Sequence, residues 1–411
     1  MNFRPYDAKK DREAIHRIWR EAGWMEGEKK EKEAADLHIG AGRAMVCEVN
    51  GSAECLALTA PATIRYLDED LPMCALTAVT TGRVVRKQGI ASRLTALSIA
   101  LDAAEGALVA ALGVFDQGYY DRLGFGSGSY VHWVKLDPAQ IKVKGKHRVP
   151  SRLTPDDWEK VHAARLGRPR AHGAINIMPA ALTRAEMGTT KNPIGLGYHD
   201  GPDGSLSHFI WGSTKNVEKG PYRIWWVVYR SREEFLELMA LIKSLGDQVR
   251  LVEMNEPPGI QMQDLLEKPF ARRAISEKSP YESGIRAAAY YQLRICDLGG
   301  CLEHTHLPGC PVRFNLRLSD PIEAYLESDA PWRGVAGDYV VTLGPSSQAV
   351  PGGDSGLPTL TATVNAFTRL WLGVRPATGL SFTDALEGPR ELLEQLDAIL
   401  RLPEPKLDWD F

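Results

Sequence analysis

The chain has 411 residues, 44% of them hydrophobic and 25% charged, with a formal net charge of −3. At roughly 100–200 residues per domain, this allows two to four domains of ordinary soluble composition. There is no global basic field to hold nucleic acid or an anionic membrane, no long uncharged apolar run to span a bilayer, and no apolar core of a signal peptide at the start, so the expectation is a cytoplasmic protein without nucleic-acid or membrane partners.

Residues 7–24 carry Ile15, Ile18, Trp19 and Ala22 at helical spacing. "EGEKKEKEAAD" follows and reads as a solvated helix or loop. "AMVCEVNGSAECLALTAPATIRYL" predicts two strands about an Asn50-Gly51 turn, and "MCALTAVTTGRVV" a further strand. From Gly89 to Glu105, Ile90, Leu94, Leu97 and Leu101 form one apolar helical stripe. "GALVAALGV" is the next strand, and "YVHWVKL" closes the first unit.

A linker from Asp137 leads to a second unit with strands about "SLSHFIWGS" and "YRIWWVVYR". A helix follows from Ser231, with Glu234 three residues on as in a capping box, and then the strand "QVRLVEM". This strand–helix–strand order repeats that of residues 75–114, but acidic residues stand at the second junction. A third unit begins near residue 290, with strands "AYYQLRICD", "VRFNLRLSD" and "GDYVVTLG". "SSQAVPGGDSGLP" reads as a loop. A strand and helix in "TLTATVNAFTRLWLGV" and an amphipathic helix in "GPRELLEQLDAILRL" precede the end "DWDF". The fold class is α/β (α+β), in three domains: 1–140, 141–288 and 289–411.

The stretch "RKQGIA", residues 86–91, lies between a strand and a helix. The first N–H groups of a helix have no partner within it, and the helix dipole favours an anion there. Gly89 allows close backbone approach, and Arg86 and Lys87 add charge. No Gly-Lys-Ser/Thr follows, which excludes a P-loop, and Gly-x-Gly-x-x-Gly is absent too. The alternative is a basic surface turn that merely starts a helix.

Arg86, Gly89 and Ala91 resemble the Q/R-x-x-G-x-G/A signature with which the GNAT acetyltransferase superfamily binds the pyrophosphate of acetyl-CoA. "GYYDRLGFG", 118–126, resembles the tyrosine segment of its enhanced intracellular survival (Eis) branch, with Tyr120, Arg122, Gly124, Phe125 and Gly126 in place. That branch also ends on a phenylalanine, as this sequence does at Phe411. The resemblance implies tandem GNAT folds, the second without the coenzyme signature, and a C-terminal sterol-carrier-like domain that delivers the chain end. It implies homohexamers as well.

It further implies transfer of acetyl from acetyl-CoA, a cosubstrate, to a primary amine: an aminoglycoside, a polyamine or a lysine. Backbone N–H groups of Val79, Thr80 and Thr81 would polarise the thioester. Arg86, Lys87, Gln88 and Gly89, with Ile90, Ala91 and Ser92, would hold the pyrophosphate. Phe115 and Asp116 would lie beside the thioester. Tyr120 would protonate the leaving thiolate, because a phenol near pKa 10 remains protonated at neutral pH. Tyr119 is expected to pack. The α-carboxylate of Phe411 would act as base or substrate anchor. Direct proton transfer from an alkylammonium to a carboxylate is uphill by roughly 9 kcal/mol, which favours anchoring unless burial narrows the gap.

Glu26, Glu28, Asp408 and Asp410 either make the cavity acidic or are scattered solvated carboxylates; the sequence leaves both readings open. Cys296, Cys301 and Cys310 near His304 and His306 do not match zinc spacings, so no metal is expected. The alternative function is a non-catalytic acyl-CoA or lipid-binding protein that kept the fold.

Overall fold

The computed structural model describes residues 1–114, 118–269 and 276–411. By internal contacts the chain forms two units. One comprises Met1–Ser129, Ala171–Pro179 and Ala289–Phe411; the other comprises Tyr130–Arg170 and Ala180–Ala288.

In the first unit, strand β1 (Asn2–Pro5) leads into helix α1 (Ala8–Ala22). Asp7 caps this helix by accepting from the Lys9 N–H, and Gly23, at φ +77°, ends it. Its inner face buries Ile15, Ile18 and Trp19. The mixed-charge segment is helix α2 (Lys29–Ile39). Strands β2 (Arg43–Val49) and β3 (Ser52–Tyr66) meet at Asn50 and Gly51. Both turn residues have positive φ, 52° and 82°, as a tight two-residue hairpin demands. Strand β4 (Glu69–Thr81), helix α3 (Ile90–Ala104), strand β5 (Val109–Gly113) and strand β6 (Gly126–Ser127) follow.

The sheet runs β1-β2-β3-β4-β5, then Tyr291–Ile295, then β6, with Ile175–Ile177 added on β3. β4 and β5 are parallel, and the other described pairs in it are antiparallel. Tyr291–Ile295, read from sequence as the start of the third unit, is thus an interior strand here. All five of its residues are buried, and it covers what would otherwise be the open edge of β5. A five-stranded sheet completes the unit, in the order Gln348–Pro351, Gly337–Leu343, Val312–Ser319, Thr359–Thr363, Leu386–Glu387. Gln348–Pro351 falls inside the segment predicted as loop and pairs instead with Tyr339–Thr342.

The second unit holds a seven-stranded sheet that includes Val131–Leu136, paired to Val252–Asn255, although the sequence places that strand at the end of the first unit. The second unit thus begins at Tyr130 rather than 141, and its last stretch ends at Ala288, where the sequence places that boundary. Tyr222–Val228 and Val252–Asn255 are parallel and joined by the helix Arg232–Ser244. The start of that helix is closed. Ser231 Oγ accepts from the Glu234 N–H at 3.2 Å, and Glu234 Oε2 accepts from the Arg230 N–H at 2.6 Å.

An ion pair with no exposed side-chain atoms lies in the first unit. Arg294 Nη2 stands 2.6 Å from Asp320 Oδ2. Asp320 also accepts from the Ile322 and Val335 N–H groups, and Arg294 donates to the Leu123 carbonyl. Burial of two ions is tolerable only when each is matched in this way. Asp320→Ala should therefore lower stability by about 3–5 kcal/mol in urea unfolding, because it strands the guanidinium. Arg294→Met combined with Asp320→Leu should recover at least half of that loss. A double variant as unstable as Asp320→Ala would mean that the stranded charge does not set the cost.

Candidate active site

β3 and β4 pair regularly from Tyr66–Glu69 to Leu58–Thr77, after which the register slips and resumes at Leu56–Thr80. β4 has one extra residue there, Ala78 and Val79 standing opposite Ala57, and the Ala78 φ of +52° is unusual for a residue with a side chain. A bulge of this kind bends its strand. On the other edge, pairing of β4 with β5 stops at Leu76–Leu112, while β4 runs on to Thr81. The two parallel strands separate there, and a cleft of about 920 Å³ opens between them. Among the described residues, no strand pairs with β4 beyond Leu76 on that side, so an extended, amide-bearing ligand can take that place.

The predicted turn lines this cleft. Gly89 precedes α3 in the left-handed conformation, φ +74°, and gives no side-chain cap. Lys87 is also left-handed, at φ +62°. Left-handed residues within a turn are the geometry that gathers successive N–H groups to one side. The first intrahelical bond runs from Arg93 N to Gly89 O at 3.2 Å, which leaves the earlier N–H groups at the helix start. Arg86, Lys87, Gln88 and Gly89 line the cleft, as do Ile90, Ala91 and Ser92. Val79 and Thr81 line it too. Thr80 does not: its side chain is buried and its Oγ1 donates to the Ala78 carbonyl at 3.3 Å. Phe115 and Asp116 lie outside the described residues.

Tyr120 begins a single 3₁₀ turn, Tyr120–Leu123, and lines the cleft. Side chains distant in sequence hold this turn. Asn365 Nδ2 donates to the carbonyls of Asp121 and Phe125 at 2.8 and 2.9 Å. Gln292 Nε2 donates to Asp121 Oδ1 at 2.6 Å, and Arg294 holds Leu123 O. The glycines after Tyr120 make room for these groups. A Cβ on Gly124 would stand 2.7 Å from both Arg294 Nη1 and Val364 Cγ1, and one on Gly126 would stand 2.4 Å from Asn365 O.

Tyr119, expected to pack, both packs and lines the cleft. Its ring stands on edge to Tyr120 at 4.8 Å, the Arg122 guanidinium lies 5.3 Å from its centroid, and Ser92 Oγ donates to its hydroxyl at 3.1 Å. Burial pushes the Tyr119 phenol above its ordinary value, so it is a neutral hydroxyl at physiological pH.

Phe411 lines the same cleft as Tyr120, and its ring stacks on Tyr291 at 6.3 Å. The segment before it is anchored. Lys406 N donates to His172 O at 2.9 Å, Asp408 Oδ1 accepts from Ile175 N at 3.2 Å, Trp409 is buried, and Asp410 bonds the Tyr291 hydroxyl. Glu26, Glu28, Asp408 and Asp410 are not among the described lining residues of the cleft. Asp408 and Asp410 are committed to those partners, and Glu28 caps α2. Neither they nor Glu26 lines the cleft, and its described lining contains no Asp or Glu side chain. The lining cations are Arg86, Lys87 and Arg122.

Sequence reading missed Trp24 and Tyr290, which also line the cleft. Trp24 follows the Gly23 helix stop and is 45% exposed, which no periodicity marks. The Tyr290-Tyr291 doublet was the available hint for the other.

The cysteine and histidine group does not converge. Cys301 Sγ donates to Leu108 O at 3.4 Å, while His304 and His306 both face Glu69, at 2.6 and 3.2 Å. In the second unit Asp200, His208 and Glu237 bring ligand atoms within 4.8 Å of one another. Arg148 already bridges the two carboxylates there, at 2.6 and 2.7 Å.

Residues 2–128 match the family model of an acetyltransferase (GNAT) domain. No curated protein matches the chain. Solved structures share its fold over the full length. A conserved protein from Enterococcus faecalis V583, described as a probable N-acyltransferase, is 17% identical, with 100% of this chain and 99% of that one covered at a TM-score of 0.79. A GCN5-related N-acetyltransferase from Anabaena variabilis is 16% identical, with all of both chains covered at a TM-score of 0.78. Eis1 from Mycobacterium abscessus is 15% identical, again with all of both chains covered, at a TM-score of 0.75. Among the described residues no helix is long and apolar enough to cross a membrane. The family match over residues 2–128, on a sheet that opens beside an uncapped helix start, gives this chain an acetyltransferase (GNAT) domain.

Proposed function

We propose that the chain is an N-acetyltransferase of the Eis type that moves acetyl from acetyl-CoA to a primary amine by direct attack in a ternary complex. The observation that supports this most is that Tyr120, Phe411 and the 86–92 turn line one cleft. In this reading the helix start, Arg86 and Lys87 take the pyrophosphate. The pantetheine arm lies along β4 beyond Leu76 and takes the hydrogen bonds that β5 no longer makes. A backbone N–H of the Val79–Thr81 stretch polarises the thioester carbonyl.

The amine attacks that carbonyl carbon, the C–N bond forms, and the C–S bond breaks. Tyr120 donates its proton to the departing sulfur and so avoids a free thiolate. The ammonium of the acceptor must lose a proton first. The Phe411 α-carboxylate anchors it, and water or that carboxylate removes the proton. Ground-state pKa values oppose the direct route by roughly 9 kcal/mol, which is why anchoring is the larger part. The reading also takes in the three domains 1–140, 141–288 and 289–411, the last sterol-carrier-like, with a cytoplasmic homohexamer as the working form.

Two outcomes test it through release of CoA thiol from acetyl-CoA over a panel of amines. Tyr120→Phe should lower kcat about 100-fold or more at an acetyl-CoA KM changed less than about threefold, since a general acid is worth roughly 10²–10⁴. One glycine added after Phe411 should lower acceptor kcat/KM about tenfold or more, by displacing the carboxylate. Full activity in both variants would remove both roles. CoA binding with no release at all would favour a non-catalytic acyl-CoA-binding protein.

Asn365→Ala should act through Tyr120 alone. It is expected to lower kcat about tenfold with CoA affinity unchanged, and to cost about 1–2 kcal/mol in urea unfolding for the two lost bonds. An equal loss of CoA affinity would mean that the whole cleft has moved.

A further inference from the structure

We infer that Tyr119 is a ligand of the coenzyme: its hydroxyl, paired with that of Ser92 at the start of α3, donates to a phosphate oxygen of bound acetyl-CoA. This rests on the acetyltransferase reading and adds to it a phosphate contact from the residue next to Tyr120.

The first ground is place. Ser92 is the third residue of α3. The first intrahelical bond is that of Arg93 N, so the Ser92 N–H belongs to the group left without a helical partner. The Tyr119 hydroxyl stands 3.1 Å from Ser92 Oγ and therefore lies at the same helix end, where the dipole favours an anion. Ser92 and Tyr119 both line the cleft, as do Arg86 and Lys87. The Tyr119 ring is fixed from two directions. It stands on edge to Tyr120 at 4.8 Å, and it packs against the apolar cluster that contains Leu123 and Phe125.

The second ground is a count of protons. A hydroxyl has one proton to give and can also accept. Two hydroxyls carry two protons, and the bond between them uses one. With Ser92 as the donor, the proton that remains is that of Tyr119. With the direction reversed it is that of Ser92, at the same helix end. Either way the pair holds one O–H for an oxygen of a bound anion. Burial keeps the phenol neutral, above its ordinary value, so it offers a proton and not a repelling charge. The Arg122 guanidinium, 5.3 Å from the ring centroid, adds positive charge beside it. A hydrogen bond from a neutral donor to a charged oxygen is stronger than one to a neutral oxygen. Packing accounts for the ring, which phenylalanine would supply equally well. It does not account for a hydroxyl set at a helix start.

The test uses the full chain and two acetyl donors. One is acetyl-CoA. The other is S-acetylpantetheine, which ends in a hydroxyl where acetyl-CoA carries its phosphates. Tyr119→Phe keeps the ring and its contacts. It should raise the acetyl-CoA KM, and the Kd for CoA in calorimetry, about fivefold or more, as expected for a lost bond to a charged group. The effect should fall on KM, with kcat changed less than about twofold. With S-acetylpantetheine the variant should match the wild-type kcat/KM within about twofold. An acetyl-CoA KM and a CoA Kd unchanged in Tyr119→Phe overturn the inference and leave the hydroxyl to packing. So does an equal loss with both donors, which would place its effect at the thioester or on Tyr120. Thiol release in either case leaves the acetyltransferase standing. CoA binding without thiol release removes the catalysis, and the CoA Kd of Tyr119→Phe still decides the inference. No binding of CoA by the wild-type chain overturns both.

Discussion

A guanidinium that cannot reach water must find its counter-charge inside the protein, and where Arg294 finds it decides where Tyr120 stands. Arg294 lies on an interior strand, pairs with the buried Asp320, and spends a further donor on the Leu123 carbonyl, three residues after Tyr120. The 3₁₀ turn itself is too short to hold a ring in place by its own hydrogen bonds. Its rigidity is imported from Arg294, Gln292 and Asn365. Gly124 and Gly126 are the condition for that import, because any side chain at either position would occupy the space of those partners.

The cleft has an equally mechanical origin. A parallel pair of strands closes its backbone groups against each other for as long as it stays in register. Here β4 carries a bulge at Ala78, just past the point where β5 ceases to follow it. The bend leaves backbone donors and acceptors on β4 facing an opening instead of a neighbour. A ligand with its own amides can complete that edge as a strand would. In the proposed reading the anionic end of the same ligand would meet the start of α3, so one opening would offer both halves of the recognition.

Most of what was local could be read from the sequence. The apolar stripe of α1, the Asn50-Gly51 hairpin and the Gly89 helix start each depend on a few nearby residues and their allowed backbone angles. What was not legible depended on pairing across distance. Nothing within "YYQLRICD" says that it will lie between β5 and β6, because a strand's partner is chosen by the whole sheet. The motif glycines could be recognised, but not the atoms that require them, since those come from residues 294, 364 and 365. The four carboxylates expected at the cleft do not line it for a related reason. A carboxylate's proximity to a site in sequence says little when backbone donors and a tyrosine compete for it, as they do for Asp408 and Asp410.

The two strand–helix–strand junctions show how little separates a binding end from a closed one. Both units place a helix between parallel strands, and both helix starts carry the same unpaired N–H groups and the same dipole. At Gly89 there is no side chain to satisfy them, and the neighbouring Arg86 and Lys87 favour an anion from outside. At Ser231 the hydroxyl takes the Glu234 N–H, and the Glu234 carboxylate turns back on Arg230, so the helix start supplies its own anion. An incoming phosphate there would have to displace a bound carboxylate and lie beside acidic side chains at Glu233 and Glu234. The difference is one of side chains at the junction rather than of fold. That is why a full-length structural likeness could not by itself have assigned the coenzyme to one unit.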